Sequence, residues 1–93
     1  MLLLRQMDDG QDDWLVCMVS SRLHRAHPRL DWVLRPEDAE FAASGLKVAS
    51  VFRLSRLAVL EGSLLLGQLG EVSDSRLRDL RQRLANWLLS APE

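Results

Sequence analysis

Cysteine and lysine are nearly absent from this 93-residue chain, and so is any surplus of charge. The single cysteine, Cys17, excludes a disulfide within the chain and gives no basis for a cysteine-based zinc site. Set in an apolar run, it reads as a small core residue. Of the twelve basic residues only Lys47 is a lysine. Arginine's planar fork suits bidentate phosphate contacts, although nucleotide composition produces the same bias. A formal net charge of −1 argues against a wholesale nucleic-acid coat, so any polyanion site must be local. No apolar run approaches a membrane span, and Met1 to Leu4 is too short for a signal-peptide core, so the expected compartment is the cytoplasm. There is no internal repeat, low-complexity tract or linker.

What is present is ordinary globular composition, with 47% hydrophobic and 27% charged residues. The length is that of one domain, at a size where self-association helps a small core. The most telling stretch is Trp14-Leu-Val-Cys-Met-Val-Ser-Ser-Arg22, an apolar run that ends in two hydroxyls and a guanidinium. A strand held in a core fixes the residues at its end better than a free loop does, as a site requires.

Before it, Leu2 to Leu4 and the turn Asp8-Asp-Gly-Gln-Asp-Asp13 predict a hairpin. The four aspartates of that turn read as solvated, because their spacing lacks a complete calcium-loop pattern. Arg22 to Arg29 is a basic loop, Asp31 to Leu34 a short strand, Pro36 to Phe41 a helical turn, and Ser44-Gly45 a break. Lys47 to Leu54 and Leu57 to Leu60 read as successive strand segments; Glu61-Gly62 interrupts them, and Ser63 to Leu69 resumes the strand pattern. Several short strands in succession predict a small, strongly bent sheet or barrel. Leu77, Leu80, Leu84, Trp87 and Leu88 then recur at helical spacing, with Arg76, Arg78, Arg81 and Arg83 mostly off that stripe. Ser73 or Asp74 caps this amphipathic helix, and Pro92 stops it.

Ser20, Ser21 and Arg22 are the candidate rim of a site, or simply a strand leaving the core. Arg22, His24, Arg25, His27 and Arg29 offer an RNA-phosphate groove or a solvated loop. His24, His27 and Asp31 lack further convergent ligands for a metal, and no metal or cofactor is expected. Trp32 and Trp87 sit in apolar patterns that want them buried, whereas Trp14 is open to either role. The helix arginines read as exposed charge or as a contact for RNA or an acidic partner segment.

Read together, Trp14 to Arg22, Gly45-Leu-Lys-Val-Ala-Ser-Val-Phe-Arg-Leu54 and Leu69-Gly-Glu-Val-Ser-Asp74 before a terminal helix resemble the MazF/PemK-like toxins over nearly the whole chain. The resemblance implies a mainly β fold with α: a small SH3-like, CcdB/MazF-type barrel with a C-terminal amphipathic helix. It further implies a homodimer, a cognate antitoxin as partner, and metal-independent cleavage of single-stranded RNA. In that chemistry the RNA 2′-hydroxyl attacks the adjacent phosphate, leaving a cyclic phosphate and a free 5′-hydroxyl. Proton transfer and charge stabilisation suit a cation and a hydroxyl. In the family these are mainly the arginine of an Arg-Pro pair near the first hairpin and a Thr or Ser at the end of the next strand. By alignment Ser20 takes the Thr/Ser position and is the catalytic candidate, with Ser21, Arg22, His24, Arg25 and Arg29 as the RNA-binding set.

The sequence departs from the family in two places. In the family the Arg-Pro pair lies just before the strand that Met1 to Leu4 continues, and Arg35-Pro36, after the Asp31 strand, does not take its role. Ala58-Val59 stands where relatives keep a more polar pair. The expectation is a single domain over residues 1–93, N-terminally incomplete, or else a degenerate non-catalytic module that pairs with an antitoxin, a toxin subunit or RNA. Loss of a first strand exposes a sheet edge, which invites strand exchange or a partner strand. A gyrase-directed toxin is a third reading, because the CcdB fold is related.

Overall fold

Continuous apolar runs on either side of a short acidic turn build the first hairpin. In the computed structural model, which describes residues 1–8, 10–65 and 70–91, β1 (Leu2–Gln6) pairs antiparallel with β2 (Asp13–Ser20). The Met7 N–H donates to the Asp13 carbonyl at 2.8 Å, and Gly10 supplies the left-handed residue of the turn, with φ 80°. The carboxylates expected to be solvated are partly employed here. Asp12 accepts from the Trp14 indole N–H at 2.9 Å, and Asp8 pairs with Arg5 at 2.8 Å. Asp9 lies outside the described residues.

β2 pairs next with a long strand, Ser50–Glu61, whose far side carries a short one, Trp32–Leu34. With these as β4 and β3, the sheet is antiparallel in the order β1-β2-β4-β3. The segments expected at Lys47–Leu54 and Leu57–Leu60 are thus one strand, which begins at Ser50. The pairing jumps from Met18↔Arg53 to Cys17↔Leu57, so Leu54, Ser55 and Arg56 bulge from the ladder. Leu54 turns into the core, Ser55 turns to hydrogen-bond Asp31, and the sheet bends there. A second irregularity in β1 turns Leu4 inward between Leu3 and Arg5.

The strand expected over Ser63–Leu69 does not continue through its first part. Gly62–Leu64 form a 3-10 turn, and Leu66 to Leu69 lie outside the described residues. Gly62 donates its N–H to the Asp12 carbonyl at 2.6 Å, and a Cβ at this position would run into the Asp12 carboxylate. Pro36 to Glu40 form turns, and the helical turn follows them as α1 (Phe41–Ser44), ended by Gly45 at φ 73°.

α2 (Asp74–Leu89) starts at Ser73, whose hydroxyl accepts from the Arg76 N–H at 3.1 Å. Its stripe Leu77, Leu80, Leu84 and Trp87 packs into the concave face of the sheet, against Leu4, Cys17, Leu30, Trp32, Leu34, Phe52 and Leu54. Leu88, expected in the stripe, is 71% exposed because it lies beyond the end of the packed core. Pro92 falls outside the described residues. Trp32 is buried and packs against Phe52 with ring centroids 4.7 Å apart, as its apolar setting requires. The result is a small mixed α/β fold: a curled four-stranded antiparallel half-barrel with a C-terminal helix. Among the described residues no helix is long and apolar enough to cross a membrane.

Candidate functional site

Alternation along β2 assigns its side chains to two faces. Leu15, Cys17 and Val19 belong to the core cluster, so Met18 and Ser20 project to the opposite, convex face. Ser20 is half-buried, ends the strand, and accepts the Arg22 N–H on its Oγ at 3.1 Å. That bond fixes the turn out of the strand and leaves the hydroxyl hydrogen free to donate. Ser21 and Arg22 are exposed beside it, and His24 and Arg25 are exposed in the 3-10 turn Leu23–Arg25.

Arg29 departs from the expected groove. Its guanidinium lies over the Trp87 ring at 5.1 Å, and His27 meets the same ring edge-on at 4.7 Å. Trp87 is half-buried rather than enclosed, and it draws this end of the loop towards α2, on the concave side of the sheet. The basic segment therefore divides: Ser21 and Arg22 adjoin Ser20 in the chain, while Arg29 is tied to the helix.

The convex face holds a residue that reading the sequence missed. Met18 is opposite Arg53, and Ser20 is opposite Val51, so Arg53 and Ser20 are diagonal neighbours on one face. Such neighbours lie about 7–8 Å apart, within reach of a long side chain. Across β4 the register carries Asp31, the residue before β3, opposite Arg53. Asp31 is fully enclosed, its side chain 0% exposed against 17% for Arg53. Its Oδ2 accepts from the His27 N–H and the Ser55 hydroxyl, and its Oδ1 from the Ser55 N–H, each at 2.9 Å. Arg53 Nε stands 3.8 Å from Oδ2, buried and without a hydrogen-bond partner. The signal was in the sequence: a charge inside Leu30-Asp-Trp-Val-Leu34 and another inside Val51-Phe-Arg-Leu54, where burial demands a partner.

The helix arginines are not simply exposed charge. Arg76 donates from Nε and Nη2 to Glu40, with the shortest contact at 2.6 Å, reaches Asp79 at 3.2 Å, and stacks over Trp32 at 4.5 Å. These contacts hold the Glu40 carboxyl below its ordinary range and raise Arg76. Arg81 Nε donates to the Leu4 carbonyl at 2.7 Å, and Arg83 Nη1 to the Asp31 carbonyl at 3.1 Å. Arg78 remains exposed.

Other functions find less support. Among the described residues no group of three His, Cys, Asp or Glu side chains is placed to hold a metal, and His27 Nδ1 instead accepts from the Arg29 N–H at 3.3 Å. Cys17 is enclosed, and burial pushes its thiol up to about 11, which leaves it unreactive at neutral pH. A groove of about 830 Å³ opens on the concave side, lined largely by apolar groups including Leu2, Val19, Leu46, Phe52 and Leu77, with no convergent chemistry. What the convex face offers is a hydroxyl able to donate and, one diagonal position away on the neighbouring strand, a partly exposed arginine, with exposed arginines in the adjoining turn. That arrangement suits an anion such as a phosphodiester. No protein-family model matches this chain, and no curated protein matches it.

Proposed function

We propose that this chain is a MazF/PemK-like toxin scaffold that acts on single-stranded RNA as a metal-independent endoribonuclease, built on an SH3-like, CcdB/MazF-type barrel. The observation that carries this reading is the placement of Ser20 and Arg53 as diagonal neighbours on one face near the end of β2. The ordered resemblance from Trp14 to Trp87 supports it. The RNA 2′-hydroxyl attacks the adjacent phosphorus as its proton passes to solvent water, the bond to the 5′-oxygen breaks and that oxygen takes a proton from water, and a cyclic phosphate and 5′-hydroxyl result. Ser20 donates its hydroxyl hydrogen to a phosphoryl oxygen, and Arg53 offsets the charge that grows there. Arg22 and Arg25 hold the flanking phosphates. On this reading the chain works in the cytoplasm as a homodimer, restrained by a cognate antitoxin.

A second reading, a non-catalytic module that binds an antitoxin, a toxin subunit or RNA, draws on a specific observation. The carboxylate on the Arg53 row, Asp31, is already occupied by His27 and Ser55, so it is poorly placed to take a proton. Incubating the purified chain with single-stranded RNA in a chelator separates the two readings. Cleavage yields cyclic-phosphate ends, disappears with a 2′-deoxy substrate, and falls by about 100-fold or more in Ser20→Ala. RNA that binds in a salt-dependent way but stays intact selects the binding module. Neither binding nor cleavage removes RNA from both readings.

A further inference from the structure

Arg53 and Asp31 form an incomplete pair, and the incompleteness has a direction. A guanidinium has five N–H donors in a fixed fork, so anchoring one edge sets where the other points. Here the Nε edge is buried towards Asp31, and the part of the side chain that solvent reaches does not include Nε. Asp31 is itself immobilised by the His27 N–H and by both donors of Ser55. Ser55 sits in the β4 bulge, so the bulge delivers two donors to a carboxylate that an unbroken strand would not reach in this way. A fully enclosed carboxylate needs a cation as well as neutral donors. The nearby guanidiniums are Arg53, at 3.8 Å from Oδ2, and Arg83, which is spent on the Asp31 carbonyl.

We infer that Asp31 is a positioning residue: its charge holds Arg53 with Nε inward and its outer nitrogens turned out to solvent on the convex face, the face that also carries Ser20. The inference rests on the proposed use of Arg53 as the phosphate-facing cation. Ser55 sets the separation, because its hydroxyl occupies Oδ2 and keeps Arg53 Nε from closing to hydrogen-bond distance.

The test is the Nε–Hε resonance of Arg53 in nitrogen-15-labelled protein without RNA, identified by its absence in Arg53→Lys. In the native chain this proton exchanges at least about tenfold more slowly than that of exposed Arg78, as burial of Nε requires. In Ser55→Ala, which leaves the His27 N–H on Oδ2 but removes the hydroxyl donor, the resonance moves downfield and exchanges more slowly still. In Asp31→Asn it relaxes towards the Arg78 position while the β1–β2 amide resonances stay in place. An Arg53 proton that exchanges like that of Arg78 in the native chain overturns the inference without any variant. So does a resonance unmoved in Ser55→Ala, a substitution that removes only one hydroxyl and keeps the result readable if Asp31→Asn does not fold. Adding single-stranded RNA with 2′-deoxy sugars then tests the other half. An Arg53 resonance indifferent to RNA sinks the proposed function and leaves the positioning by Asp31 standing.

Discussion

Two arginine–carboxylate pairs flank the start of β3, one on each face of the sheet, and they are built differently. On the concave side Arg76 is saturated, with Glu40 and Asp79 at its edges and the Trp32 ring beneath it. On the convex side Arg53 has a buried Nε without a partner, 3.8 Å from a carboxylate whose oxygens serve other donors. Asp31 and Trp32 are consecutive, so strand alternation alone sends one to each face. A saturated guanidinium fastens a helix to a sheet. An unsaturated one keeps donors for something else, and this difference distinguishes a strut from a site.

The comparison breaks most visibly at Asp31. Replacing it by Ala leaves Arg53 partly buried without an anion and removes the acceptor for His27 and Ser55, at a cost of about 3–5 kcal/mol in urea unfolding. Arg76→Met, on the other side, removes exposed-edge ion pairs and the stacking on Trp32. The expected loss is about 1–2 kcal/mol, with RNA cleavage or binding unchanged. If Arg76→Met reduces RNA cleavage at unchanged stability, the division between strut and site fails.

The smallest effect is a pH dependence. Arg76 lowers the Glu40 pKa from 4.5, so this pair stabilises the fold above that value, and the contribution fades as pH falls through the lowered one. Glu40 is more than a third exposed, so solvent screening reduces the effect to a few tenths of a kcal/mol, about the scale of an ordinary surface pair. As pH falls below 4.5 the native chain should lose slightly more stability than Glu40→Gln does. Equal losses would show that the contact with Glu40 adds nothing in solution.

The hairpin and α2 are legible in the sequence, the hairpin through apolar runs flanking an Asp-Gly turn and α2 through the Ser73 cap and a helical period that puts Leu77, Leu80 and Leu84 along one face. The β4 bulge is not. Leu54 and Leu57 are both apolar, and only pairing with Cys17 and Met18 shows that the residues between them leave the ladder. Ser20 was found where strand and rim meet. Arg53 was passed over because an arginine in an apolar run announces a partner without naming it, and Asp31 lies far away in sequence. Arg29 was grouped with Arg22 by proximity in the chain, whereas Trp87, contributed by the last helix, decides where it goes.

The bond from Arg81 to the Leu4 carbonyl joins the first strand to the last helix and has a consequence in time. During synthesis Leu4 emerges early, and the hairpin forms with its inward side chains uncovered. Its lid, Leu80, and its latch, Arg81, are translated much later. A hairpin of this kind is marginal by itself; β3 and β4 complete the sheet before α2 is made, and only α2 covers its concave face. The convex face gains its geometry in the same event, because Arg83 on α2 grips the Asp31 carbonyl. The full set of contacts around Asp31 is therefore complete only once α2 has been made.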